Sequence, residues 1–109
     1  MTKMSADAEG IVAYSAAAEV MATELATAAA GSVAADPTLL GPIMGLIGGD
    51  FTAAYSAAHA GHVAAIAQLS AVMGSMGLAT ASAATTLVET DLNNAAGITA
   101  TAGELGTDA

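Results

Sequence analysis

Apolar and small residues recur along this chain at helical spacing. Ile11, Tyr14, Ala18, Met21 and Leu25 are separated by alternate steps of three and four, which gathers them on one face of a helix, with Glu9, Glu19 and Glu24 off it. This pattern predicts a first helix over about 5–30. Ser5 is its expected N-cap, Asp7 and Glu9 are favourably placed against the helix dipole, and Gly31 is its expected stop. A second stripe follows: Phe51, Tyr55, Ala58, His62, Ala65, Leu69, Val72, Met76, Ala83 and Leu87, with Thr80 in the gap. It keeps close to a 3.5-residue repeat, the period of a left-handed helix–helix seam. The second helix is expected over about 50–94, with Asp50 as its N-cap. Past Gly97 the periodicity fades, so 97–109 is expected as a flexible tail and 1–96 as the folded hairpin.

The connection, residues 31–49, is glycine- and proline-marked, with Asp36-Pro37 reading as the cap and first residue of a short helical turn. It nevertheless carries Leu39, Leu40, Ile43, Met44, Leu46 and Ile47, more apolar bulk than either helix has over an equal length. A solvated turn does not need that bulk. Either the segment folds back on the hairpin end, or it meets a partner or a membrane; the residues leave both open.

Composition changes this picture in two ways. Alanine occupies 31 of 109 positions, so two helices alone bury little area per ordered residue. The expected fold is therefore all-α: an antiparallel two-helix hairpin that completes a four-helix bundle or a larger helical assembly with a partner, itself or another chain. The expected partner seam is Ile11, Tyr14, Met21, Leu25, Phe51, Tyr55, His62, Leu69, Val72 and Met76. Secondly, a single Lys or Arg stands against ten acids, for a formal charge of −9. Nothing can neutralise a row of phosphates, which excludes nucleic acid as a partner, and anionic membranes are disfavoured. Residues Phe51–Val88 carry no charge, but the stretch is mostly Ala, Gly, Ser and Thr, so a soluble helix is expected there rather than a membrane span. Acids follow Lys3 too closely for a Sec signal peptide.

Little here suggests catalysis. His59 and His62 are three apart on one helix but lack a carboxylate within a turn to complete a metal site, so His62 is expected in the seam and His59 at its edge. Ser56 beside His59 has neither an orienting acid nor an oxyanion hole. The methionines are not clustered for a soft metal, the carboxylates are scattered singly, and no phosphate loop is present. No enzyme activity, metal or cofactor is expected.

The segment ASAATTLVETDLNNAAGI, residues 81–98, resembles the end of small type VII (ESX) secretion substrates of mycobacteria and related actinobacteria. There an Ala-rich second helix ends in a Tyr-Xaa-Xaa-Xaa-Asp/Glu signal. On that pattern Leu87 stands at the tyrosine and Asp91 at the acid. The run PIMGLIGGDFTAAYSAAHAGHVAAIAQLSAV is similar to the start of the second helix in PE-domain and EspC-like proteins, and MTKMSADAE to the opening of some PE proteins. Two departures are plain: no literal Tyr-Xaa-Xaa-Xaa-Asp/Glu occurs, and there is no tryptophan for the Trp-Xaa-Gly turn of related hairpins. The resemblance implies a virulence-associated hairpin that is secreted or held at the cell surface through the type VII machinery. It also implies pairing with a PPE-type hairpin or with itself. A self-assembling filament protein and a membrane-active amphiphile using residues 39–47 are the alternatives.

Overall fold

A computed structural model describes residues 3–107, and all its regular structure is helical. Helix α1 (Ala8–Ala34) is joined through a 3-10 turn, η1 (Pro37–Leu40), and a single helical turn, α2 (Gly41–Met44), to the long helix α3 (Gly49–Thr107). Helices α1 and α3 lie side by side as an antiparallel pair, so the hairpin is present. A four-helix bundle would need further chains. The chain is a rod of 95 × 22 × 18 Å with a radius of gyration of 26.2 Å, against about 13 Å for a compact domain of this length. The 59 residues of α3, at 1.5 Å each, account for about 89 Å of that length.

Both helices differ at their ends from the sequence pattern. Asp7, not Ser5, caps α1: its carboxylate accepts the Glu9 amide at 3.1 Å, and its carbonyl accepts the Ile11 amide. Gly31 does not stop the helix, which continues to Ala34; a glycine in a right-handed helical conformation costs about 1 kcal/mol but does not break it. The same tolerance carries α3 through Gly97 and Gly103 to Thr107 rather than ending near Asn94. The last two residues of the expected tail lie outside the described residues. Asp36 caps η1 as its Asp-Pro sequence implies. The chain reverses at Gly45, whose φ of 65° is the left-handed conformation that favours glycine.

The interior is thin. Among the described residues Ala18, Ala29, Ala84 and Pro37 are buried apolar side chains, beside buried Ser15, and no large side chain is fully enclosed. The seam follows a heptad spacing on both helices: Ala8, Ile11, Ser15, Ala18, Ala22, Leu25, Ala29 and Ser32 on α1, and Thr52, Ser56, His59, Val63, Ile66, Ser70, Met73, Gly77, Ala84 and Leu87 on α3. Small side chains permit close approach. A methyl group built on Gly77 comes 3.1 Å from the Ser15 carbonyl oxygen and 3.0 Å from Glu19 Cγ.

Candidate functional site

Two hydrogen bonds across the seam fix how the helices face each other. The Ser70 hydroxyl donates to the Ala22 carbonyl at 2.7 Å. Nearer the turn, His59 Nε2 lies 2.7 Å from the Ser32 carbonyl, an acceptor only, so this nitrogen carries the proton and donates. Ser32 is in the last turn of α1, where carbonyls lack partners within their own helix, so the imidazole satisfies one of them. His59, rather than His62, therefore sits in the hairpin's own seam, and His62 is exposed.

The ten residues expected as a partner seam divide accordingly. Ile11 and Leu25 face α3 and are half-buried. Tyr14, Met21, Phe51, Tyr55, His62, Leu69, Val72 and Met76 are exposed, and on α3 every one of them precedes a seam residue by one position. One position is a rotation of about 100° around a helix, so they form a stripe beside the seam. In an antiparallel pair the residues preceding the seam on both helices share one face of the hairpin. Accordingly Met21 and Glu24 of α1 line one shallow groove with Leu69 of α3. The stripe's large side chains keep about half of their surface in solvent: 49% for Leu69, 53% for Val72 and 55% for Phe51. Phe51 and Tyr55 stack at 5.9 Å, and Tyr55 in turn stacks on His59 at 6.4 Å.

The hairpin's other face is different. Its grooves are lined by Glu9, Val12, Val88 and Glu89 towards the start of α1, and by Val33, Asp36, His59, Ala60 and Ala64 towards the turn. Three carboxylates, Glu9, Asp36 and Glu89, thus line grooves of that face, whereas Glu24 lines the groove beside the stripe. Asp36 is held below the usual carboxylate value, first by the Thr38 backbone amide donating to it at 2.9 Å and then by the Thr38 hydroxyl, with a smaller contribution from His59.

At the turn, Pro37 is buried and Leu40 half-buried, so η1 does fold onto α3. The outer part does not. Leu39, Ile43, Leu46 and Ile47 project into solvent, Met44 is more than half covered, and both Leu46 and Ile47 are as exposed as in an extended chain. At the opposite end α3 runs past the start of α1 over residues 89–107, about 28 Å. Leu87 is half-buried as the last of the seam, and Asp91, one turn on, is exposed. Ile98 and Leu105 continue the seam's heptad register beyond the hairpin and are exposed.

The described residues hold no group of three or more His, Cys, Asp or Glu side chains placed to share a metal ion. Helix α3 is long and apolar enough to cross a membrane by length and composition, with a window of mean hydropathy 1.5. No protein-family model, curated protein or solved structure matches this chain.

Proposed function

We propose that this protein is a recognition subunit rather than a catalyst, acting through helix–helix pairing in the manner of a small type VII secretion substrate. One observation carries the pairing: the exposed, uncharged stripe Phe51–Met76 on a hairpin that buries almost nothing of its own. A hairpin with so small an interior gains from a partner that covers such a face. The secretion role comes from the resemblance over residues 81–98. It is supported by an antiparallel hairpin whose second helix projects beyond the first, with Leu87 and Asp91 one turn apart where the two part company. On this reading the stripe holds a partner hairpin and the projecting end is offered to the export machinery.

Export from an actinobacterium with an active type VII system tests it. Ending the chain after Val88 leaves the hairpin intact, so the truncated protein should remain helical by circular dichroism yet stay in the cells. Equal amounts of both forms in the medium overturn the secretion role.

The turn favours a second reading, a membrane-contacting amphiphile. Leu39, Ile43, Leu46 and Ile47 form an apolar tip with no charge between Asp36 and Asp50. It requires flotation with neutral liposomes at pH 5 or pH 7, and failure at both removes it.

A further inference from the structure

We infer that the stripe on α3 is the contact surface for a second copy of this chain, set antiparallel to the first. The inference rests on the pairing reading above and names its partner. Phe51, Tyr55, Ala58, His62, Ala65, Leu69, Val72 and Met76 are spaced 4-3-4-3-4-3-4, which reads the same in both directions. A two-fold axis crossing α3 between Val63 and Ala64 therefore sets each stripe residue opposite another of the stripe. Phe51 meets Met76, Tyr55 meets Val72, Ala58 meets Leu69 and His62 meets Ala65.

Regular spacing alone gives such a match on any heptad stripe; the side-chain sizes make this one specific. In the two central layers a large residue faces an alanine, so neither layer is overfilled and the helices can approach closely. In the outermost layer the Phe51 ring meets the Met76 thioether, a favourable contact of sulfur with an aromatic edge. A two-fold axis lying in the contact plane keeps α3 against α3 and α1 against α1. Two hairpins then pack with their tips at opposite ends, closing a short four-helix stretch where about residues 22–34 of the two α1 helices overlap at the level of the axis.

Area leaves room for a partner, and charge bears on which one. The chain exposes 7978 Å² at a mass of 10.3 kDa. A compact monomer of that mass exposes about 5,350 Å², and the surplus of about 2,600 Å² is of the order that a permanent interface removes. Two copies that each carry a formal charge of −9 repel unless their carboxylates are kept apart. The stripe contains none. Glu9, Asp36 and Glu89 line the grooves of the other face, and Glu24 stands at the stripe's rim. A basic partner would find no acid on the stripe itself to meet, whereas an equally uncharged surface fits it.

The chain contains no cysteine, so introduced thiols report the geometry cleanly. Light scattering on the full chain should give twice the monomer mass, falling twofold in the Leu69→Glu variant while helicity is retained. Ala58→Cys and Leu69→Cys chains, mixed and mildly oxidised, should give the mixed disulfide. Neither should cross-link alone, since like positions lie about 16 Å apart along the axis. A monomeric native chain, an unchanged mass for Leu69→Glu, or efficient cross-linking of Ala58→Cys with itself overturns the antiparallel pair. If the native chain is monomeric but its export still depends on Leu69, only the second-copy inference fails. If Leu69→Glu is exported like the native chain, the pairing reading fails.

Discussion

Two faces of α3, one residue apart in register, do different jobs. The face turned to α1 is made of Ser56, His59, Ser70, Gly77 and Ala84 with a few aliphatics, whereas the next face carries Phe51, Tyr55, Leu69, Val72 and Met76. The inner face gains close approach and two directed hydrogen bonds; the outer one retains the bulk. In a single compact domain the larger side chains go inside, because burial per residue scales with their area. Here much of the bulk stays in contact with solvent, as Phe51, Leu69 and Val72 show. The hairpin is thus held in register by small, specific contacts, and on the pairing proposed above a second surface supplies the hydrophobic gain that its own seam lacks.

The sharpest way to break the comparison is to give both faces the wrong side chain. Gly77→Leu puts a branched side chain where even a methyl group meets the Ser15 carbonyl. It should separate the helices at a cost of about 3 kcal/mol, read as a large fall in melting temperature. Leu69→Glu, eight residues away on the outer face, should leave the isolated hairpin's helicity nearly unchanged. Equal losses of helicity in the two variants would mean that the faces are not distinct.

Two glycines, three residues apart, give a finer test with opposite signs. A methyl group at Gly74 meets only Ala22 Cβ, at an ordinary 3.9 Å. Gly74→Ala should therefore stabilise by about 1 kcal/mol through helix propensity. Gly77→Ala has the same propensity gain, but the backbone oxygen of Ser15 cannot yield as a flexible side chain can, so it should lose about 1 kcal/mol net. Chemical denaturation of both variants decides the matter; stabilisation by both would show that the close approach at Gly77 is relaxed in solution.

The contrast also explains what the sequence could and could not disclose. Two helices, the Asp36-Pro37 turn and the heptad period were legible because spacing and capping chemistry are local. Which stripe turns inward was not. Hydrophobic patterning selects Tyr55, Leu69 and Met76 by bulk, while Thr52, Ser56, His59, Val63, Ile66, Ser70, Met73 and Gly77 keep an equally regular spacing with Thr, Ser and Gly where the other stripe has Phe51, Tyr55, Leu69 and Met76. The missed signal was the alignment of Gly77 and two serines on one seam, the composition of a close helix crossing. The end of α3 was misjudged for a related reason: Ile98 and Leu105 keep the seam's register, but too few large residues accompany them to register as a stripe.

A smaller effect should come from the seam's own hydrogen bonds. Ser70→Ala removes the donor to the Ala22 carbonyl without leaving a buried hydroxyl behind, so it should cost about 1 kcal/mol. The same substitution at Ser75, which is exposed, should cost nothing measurable. If the two variants melt alike, the Ser70 bond does not hold the register.

The smallest effect lies at the turn, where the inner face ends and the tip begins. Asp36 is ionised more readily in the folded chain than a free carboxylate because the Thr38 amide donates to its charged form. A carboxyl whose pKa is lowered by folding adds stability above its unfolded pKa and loses that contribution as pH falls through the folded value. Meanwhile, protonating the other acids relieves the repulsion within a chain of formal charge −9, which acts in the opposite direction. The two trends separate in the Asp36→Asn variant, whose amide oxygen can still cap η1 but cannot titrate. The melting temperature of the native chain relative to this variant should fall as the pH is lowered below the ordinary carboxylate range, and should be constant near neutrality. A difference that is flat throughout would mean that the Thr38 amide does not favour the charged form of the cap.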